Sequence, residues 1–306
     1  MPLSDWWEDI MYKQQTFNWN YSQVNPYPNY EDMIAHTDEK LLPLGFVKEE
    51  LGLSQDGEFM LYGYKLNEEK DMAWIDSNMH GSEWWTCYYC LDFIVSVWGD
   101  TYFDKKLTKN IRENFGLYYV PSMNPWGYQN VKYYQSRGVN LNRNFDSGMW
   151  EGYTTGNGQW EGNNYKGEAP NSEAETQHVV SKFEEIKPYF AINCHTTTGN
   201  GNGVDMNNRF KEYHLLTEDV QNTLKLSLPQ AGTLDWNGQY SPSAQSYYGT
   251  KTSKSGTKTI TTIVEHQSDT ENYNVGLMLL FVLFSTILNY KLNNELKLTD
   301  IKKVYQ

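Results

Sequence analysis

At 306 residues the chain has room for one large α/β domain or two small ones, with a core that needs no disulfide or metal to hold it. A formal net charge of -13 argues against a nucleic-acid backbone or an anionic membrane surface as a partner. The 24 Tyr and 11 Trp suit a substrate cleft or a sugar-stacking surface, and equally a plain structural protein.

Residues 1–25 are polar and aromatic without a clear period and are read as an N-terminal arm or irregular lead-in. They carry no basic and then apolar stretch, so no signal peptide is expected and the chain is expected to be cytoplasmic as synthesised. Residues 26–306 are read as a single domain, because no repeat, low-complexity tract or linker interrupts them. A short helix over 30–42 ends at Pro43. Two strand-like runs between 46 and 66 flank Asp56-Gly57 and predict a β-hairpin.

The run 72–79 reads as a buried strand that meets a loop at Met79-His80-Gly81-Ser82-Glu83, and 84–97 has helical spacing. Cys87 and Cys90 lie inside that helical pattern, and with Cys194 make three cysteines, an odd number that fits a reduced compartment. The pair is read as core packing. Residues 117–121 form a short apolar run before the turn signal Asn124-Pro125-Trp126-Gly127. Residues 146–168 read as a long Gly-, Asn- and Trp-rich surface loop. A helix over 172–185 has Ser172 as N-cap and Glu175 in a capping box.

The strand 189–194 ends on His195, and a helix is expected over 215–228. Residues 232–256 read as an irregular, cleft-lining loop. The alternating run 259–264 is a strand ending on Glu265. Residues 275–288 are strongly apolar and are read as a buried C-terminal helix rather than a membrane span. The order of elements suggests one α/β domain.

His80 and Glu83 lie three residues apart, so one turn brings an imidazole and a carboxylate to the same side. The pair alone is weak, since 6 His and 38 acidic residues supply about 0.7 such pairs by chance. Three strands ending on His80, His195 and Glu265 are a stronger signal, because loops beyond strand C-termini form the ligand crevice of open α/β sheets. Two imidazoles and one carboxylate leave a tetrahedral position open for water, the pattern of a catalytic zinc site. Glu265 would then be a carboxylate near the metal and free to move a proton. Arg143, beside Asn142, offers a fork for a substrate carboxylate.

These residues, together with Leu51-Gly52-Leu53-Ser54-Gln55-Asp56-Gly57, Val120-Pro121-Ser122-Met123-Asn124-Pro125-Trp126-Gly127, Gly138-Val139-Asn140-Leu141-Asn142-Arg143-Asn144-Phe145 and Ser172-Glu173-Ala174-Glu175-Thr176, resemble the zinc metallocarboxypeptidase family (carboxypeptidase A-like, M14-type). The resemblance runs from about residue 30 to the C-terminal helix. It implies a twisted, mixed but mainly parallel β-sheet with helices on both faces. It implies one zinc ion per chain held by His80, Glu83 and His195, with Asn142 and Arg143 on the substrate's terminal carboxylate and Glu265 as general base.

Three departures stand out. Trp126 takes the place of an acid, and Asn140 takes that of an aspartate that hydrogen-bonds a ligand histidine. The family's carbonyl-polarising arginine has only Lys132 and Arg137 as nearby counterparts, of which Arg137 is the candidate. The family's substrate-capping tyrosine has candidates in Tyr240, Tyr247 and Tyr248.

The expected activity is removal of C-terminal residues from peptides, with peptidoglycan stem peptides as one substrate class. The expected partner is a peptide or peptidoglycan-derived substrate with a free C-terminal carboxylate. A bacterial or phage form carried on a virion tail, with assembly partners there, is an alternative setting. Two further readings stay open. One is a catalytically inactive peptidase fold with a structural or cell-wall-binding role. The other is an amidohydrolase that does not need Arg143.

Overall fold

The central strands are buried at nearly every position, as in a sheet covered on both faces. In β3 (Asp71–Asp76), Met72 and Trp74 point to one face and Ala73 and Ile75 to the other. In β4 (Phe115–Val120), Tyr118 and Val120 share the first face, while Phe115, Leu117 and Tyr119 share the second. The computed structural model describes residues 24–102, 104–153, 164–197, 202–206, 213–227, 231–233, 241–267 and 273–304. The arm expected over 1–25 and the loop expected over 146–168 fall partly outside them.

Eight strands form one sheet in the order β1-β2-β4-β3-β5-β8-β6-β7. They are β1 (Val47–Leu53), β2 (Met60–Leu66), β3, β4, β5 (Phe190–Thr197), β6 (Asn202–Met206), β7 (Ala231–Thr233) and β8 (Ile260–Gln267). The centre, β4-β3-β5-β8, is parallel. The predicted hairpin β1–β2 runs antiparallel on to β4, and β6 pairs antiparallel with β8. The sheet is therefore mixed and mainly parallel, as the resemblance implies.

Helix α1 (Tyr30–Leu41) begins where the Asn29 side chain accepts hydrogen bonds from the amides of Glu31 and Asp32, and Pro43 follows its end. On the same face of the sheet, α2 (Trp85–Trp98) and the C-terminal helix of Tyr273–Val304 bury the larger core. Cys87 and Cys90 are buried free thiols within α2. The C-terminal helix is apolar all round over 275–288, which is why it packs inside rather than on the surface. Its segment Val275–Asn293 is long and apolar enough to cross a membrane, and most of it is buried within the protein.

The opposite face is covered by the helices of Ala174–Ile186 and Ala244–Thr250, around Trp74, Phe183 and Tyr248. In chain order the helices are α3 (Lys105–Asn114), α4 (Pro125–Asn130), α5 (Ala174–Ile186), α6 (His214–Ser227), α7 (Ala244–Thr250) and α8 (Tyr273–Val304).

Several expectations are corrected. Strand β3 stops at Asp76, so 77–84 is loop. Strands β5 and β8 continue past His195 and Glu265 by two residues each. The Asn124 turn opens the six-residue helix α4. The capping box fails: α5 starts at Ala174 with Glu173 at the cap and no side-chain capping bond. Ser172 Oγ instead donates to Glu173 Oε1, and Glu175 Oε1 accepts from the Gln55 amide at 3.0 Å. Part of the loop 232–256 is the buried helix α7, capped by Ser243 Oγ. α3, β6 and β7 are additional elements.

Candidate metal centre and catalytic site

The loop that carries His80 and Glu83 is held by its own polar residues. Asn78 takes a left-handed backbone, φ 52°, and its Nδ2 donates to the carbonyls of His80 and Gly81. Ser122 Oγ donates to Asn78 Oδ1, and Asn124 Nδ2 donates to the Met79 carbonyl. Thr86 Oγ1 accepts from the Asn78 amide and donates to the Glu83 carbonyl. Gly81 has to be glycine, since a Cβ there would sit 2.0 Å from the Gly127 carbonyl carbon. These bonds place both donor side chains against the C-terminal edge of the sheet.

The sheet register supplies the rest. His195 on β5 is directly opposite Glu265 on β8, and Asp76 on β3 is opposite Asn193. His80, Glu83 and His195 are buried, and their ligand atoms lie within 4.8 Å of one another. Nδ1 of His80 is 2.8 Å from Glu83 Oε1, Nδ1 of His195 is 3.1 Å from Oε2, and the two Nδ1 atoms are 3.2 Å apart. A tetrahedral ion with bonds of about 2.0–2.1 Å needs donors spaced about 3.3 Å apart. The three donors fit a zinc ion by spacing and by chemistry.

Burial pushes the His80 imidazole below the ordinary histidine range, the direction that favours the neutral ring a metal ion binds. For Glu83 burial works upward, but the imidazoles of His80 and His195 outweigh it and keep the carboxyl ionised, below the ordinary glutamate range. Glu265 goes the other way. Burial first, then the charges of Glu83 and Asp205 and the Cys194 thiol, raise its carboxyl well above the ordinary range. A dication held by the three donors is the counter-charge its ionised form needs.

The outer nitrogens face amide oxygens. His80 Nε2 lies 3.1 Å from Asn140 Oδ1, so Asn140 occupies the place that the resemblance gives to a carboxylate, and His195 Nε2 lies 2.6 Å from Asn193 Oδ1. The Tyr133 ring stacks on His80, with centroids 3.8 Å apart and planes at 15°. Burial, then Glu83, raises its phenol, and Asn140 hydrogen-bonds it. Sequence reasoning missed Tyr133, Asn193 and Asp76. The one local signal was an aspartate closing the apolar run Ala73-Trp74-Ile75-Asp76.

Asn142 and Arg143 sit in a short 3₁₀ turn, Leu141–Arg143, beside the donors. Asn142 Oδ1 accepts from the Ala244 amide at 3.1 Å, and its Nδ2 is 3.3 Å from His195 Nε2. Arg143 is half-buried, with Nε donating to Tyr153 OH and Nη1 to the Asn142 carbonyl, both at 2.8 Å.

Two other expectations are corrected. Arg137 is exposed and pairs with Glu168 at 3.3 Å and with Glu173 at 3.9 Å, because a buried glutamate at the α5 N-terminus draws the guanidinium there. Tyr248 is fully buried, stacked on Phe183 with its hydroxyl on Asp76 Oδ2 at 2.8 Å, because it lies on the sheet-facing side of α7. Tyr240 lies outside the described residues. Tyr247 is buried too, bonded to Glu184.

A layered α/β sheet with a His, Glu, His cluster at its C-terminal edge defines the class, and comparison with known proteins agrees. The model of the zinc carboxypeptidase family matches residues 54–274, and the chain belongs to that family. Human mast cell carboxypeptidase A is 26% identical over 193 residues, covering 56% of this chain and 45% of that protein. Bovine carboxypeptidase B2 is 25% identical over 217 residues, covering 63% of this chain and 47% of that protein. The matched stretches thus span less than half of either relative. A structure of bovine thrombin-activatable fibrinolysis inhibitor in complex with tick carboxypeptidase inhibitor shares the fold. Its TM-score is 0.67 at 18% identity, over 88% of this chain and 100% of that one.

Proposed function

We propose that this chain is a zinc-dependent carboxypeptidase that removes single residues from peptides with a free C-terminus. The observation that carries the reading is the meeting of three buried donors beside a fourth carboxylate, Glu265, that stays off the donor set. His80, Glu83 and His195 would hold one zinc ion, which when bound would supply Lewis acidity and make a water a usable nucleophile near neutral pH.

Glu265 takes a proton from the attacking water onto its carboxylate and passes it to the departing amine nitrogen. Arg143, braced by Tyr153, receives the substrate's terminal carboxylate, and Asn142 donates beside it. The Tyr133 ring covers one face of His80 and keeps bulk water from that side.

Peptidoglycan stem peptides are the substrate class we favour, in a bacterial or phage setting that includes a virion tail, because the aromatic composition suits work beside glycan. One observation favours a second reading, a catalytically weak or binding-only protein: Lys132 is exposed and Arg137 is committed to Glu168 and Glu173, so neither basic residue stands over the donors.

The test is a mass-spectrometric digest of mixed C-terminal peptides and muropeptide stems by zinc-loaded protein and by Glu265→Ala. Release of single C-terminal residues by the unmodified protein alone supports the enzyme. No release by either, with zinc bound, supports the second reading.

A further inference from the structure

Asp76 is a buried carboxylate that none of these steps uses. It ends β3 on the site face, has no exposed surface, and is in register with Asn193. Three donors close on it. Trp74 Nε1 at 2.7 Å and Tyr248 OH at 2.8 Å reach Oδ2, and Asn193 Nδ2 reaches Oδ1. Burial raises its carboxyl above the ordinary aspartate range. Yet the Trp74 N–H can only donate and the Asn193 NH2 is placed on Oδ1, while the Tyr248 hydroxyl, the one of the three able to accept, lies on Oδ2, so Oδ1 accepts in either state of the carboxyl.

An ionised carboxylate only accepts hydrogen bonds, so the polarity of its neighbour is settled. Asn193 must turn its NH2 to Asp76. Its Oδ1 is thereby directed to His195 Nε2, 2.6 Å away. An acceptor at Nε2 draws the ring proton there and frees Nδ1 to ligate, whereas the Glu83 carboxylate, 3.1 Å from Nδ1, draws the proton the other way.

A second asparagine opposes this. Asn142 spends its Oδ1 on the Ala244 amide, so it is the NH2 that lies 3.3 Å from the same Nε2. Left to Asn142, His195 would carry its proton on Nδ1 and could not ligate through that nitrogen.

We infer that Asp76 is a positioning residue for the metal centre: through the Asn193 amide it sets the His195 tautomer so that Nδ1 is the ligating nitrogen. The purpose of that lone pair rests on the zinc reading above, whereas the tautomer belongs to the metal-free protein.

Asp76→Asn tests it with little packing change. Its one oxygen can stay on Trp74 and Tyr248 while its NH2 faces Asn193, which then flips and presents NH2 to His195. Asn193→Asp alone sets two carboxylates face to face. The exchange Asp76→Asn/Asn193→Asp restores the polarity, because Asn at 76 donates to a carboxylate that accepts from Nε2.

The experiment reads two things on each variant. The first is the His195 tautomer by 15N NMR of metal-free protein, at a pH where the imidazoles are neutral and with His195→Gln for assignment. The second is zinc affinity by competition with a chelating dye. The unmodified protein is expected to hold a larger Nε2-protonated fraction than Asp76→Asn, in which Asn142, Asn193 and Glu83 all favour the proton on Nδ1. Asp76→Asn is also expected to bind zinc about 10- to 100-fold more weakly. The exchange is expected to recover both.

Asp76→Asn with an unchanged tautomer and unchanged affinity overturns the inference. So does a folded exchange variant that recovers neither. If the tautomers respond as described but the unmodified protein binds no zinc, the inference stands and the zinc reading falls.

Discussion

Glu175 offers a quantitative test of the packing at the start of α5. Its side chain is fully buried, Oε1 accepts from the Gln55 amide at 3.0 Å, and Oε2 has no hydrogen-bond partner among the described residues. Burial raises the carboxyl from 4.5 to about 7, against the pull of backbone amides and with help from Glu173 and Asp56. In the unfolded chain the carboxyl ionises near its ordinary value, so between about 4.5 and about 7 the folded state binds more protons than the unfolded one.

Stability from this group is therefore present below that window and lost as pH rises through it. At about 1.4 kcal/mol per pH unit the loss is about 3 kcal/mol. Glu175→Gln keeps the acceptor for Gln55 and cannot ionise. Urea unfolding of both proteins at pH 5 and pH 8, in excess chelator to remove metal linkage, should show the variant gaining about 2.5 kcal/mol on the parent across the interval. Chelator leaves Glu265 titrating in both proteins, so it cancels in the difference. A difference that is flat with pH would refute the reasoning, because the carboxyl would then be solvated or paired.

Two further outcomes are expected. Arg143→Ala should lower kcat/KM on free C-terminal peptides by about 100-fold, in keeping with loss of a charge-assisted clamp of about 1.5–3 kcal/mol, and should leave zinc stoichiometry and unfolding unchanged. Unaltered turnover would favour an amidohydrolase. Gly81→Ala forces the His80–Glu83 loop off α4, since the new Cβ meets Gly127 backbone at 2.0 Å. It should cost about 1–3 kcal/mol in unfolding and lower bound zinc, as measured by elemental analysis. Full zinc occupancy in that variant would mean that the loop can shift without moving its donors.

The sequence by itself determined the elements whose information is local. Periodicity marked the hairpin, the strands before the three site loops and the apolar C-terminal helix, because burial on a sheet or a helix face repeats every few residues. It also supplied the candidate site residues, since His80 and Glu83 lie within one turn and His195 and Glu265 lie near strand ends. Capping at α5 misled it. Ser172 and Glu175 have the right spacing, but contacts with Glu173 and Gln55 took their side chains elsewhere.

What only the tertiary structure decided is non-local. The register of β5 on β8 brings His195 opposite Glu265, 70 residues away. The pairing of β3 with β5 sets Asp76 against Asn193, 117 residues on. Tyr133 meets His80, and Arg137 is drawn off to Glu173, only once the loops are folded over the sheet. The polarity of a hydrogen bond depends on which partner arrives, and no local pattern of residues carries that.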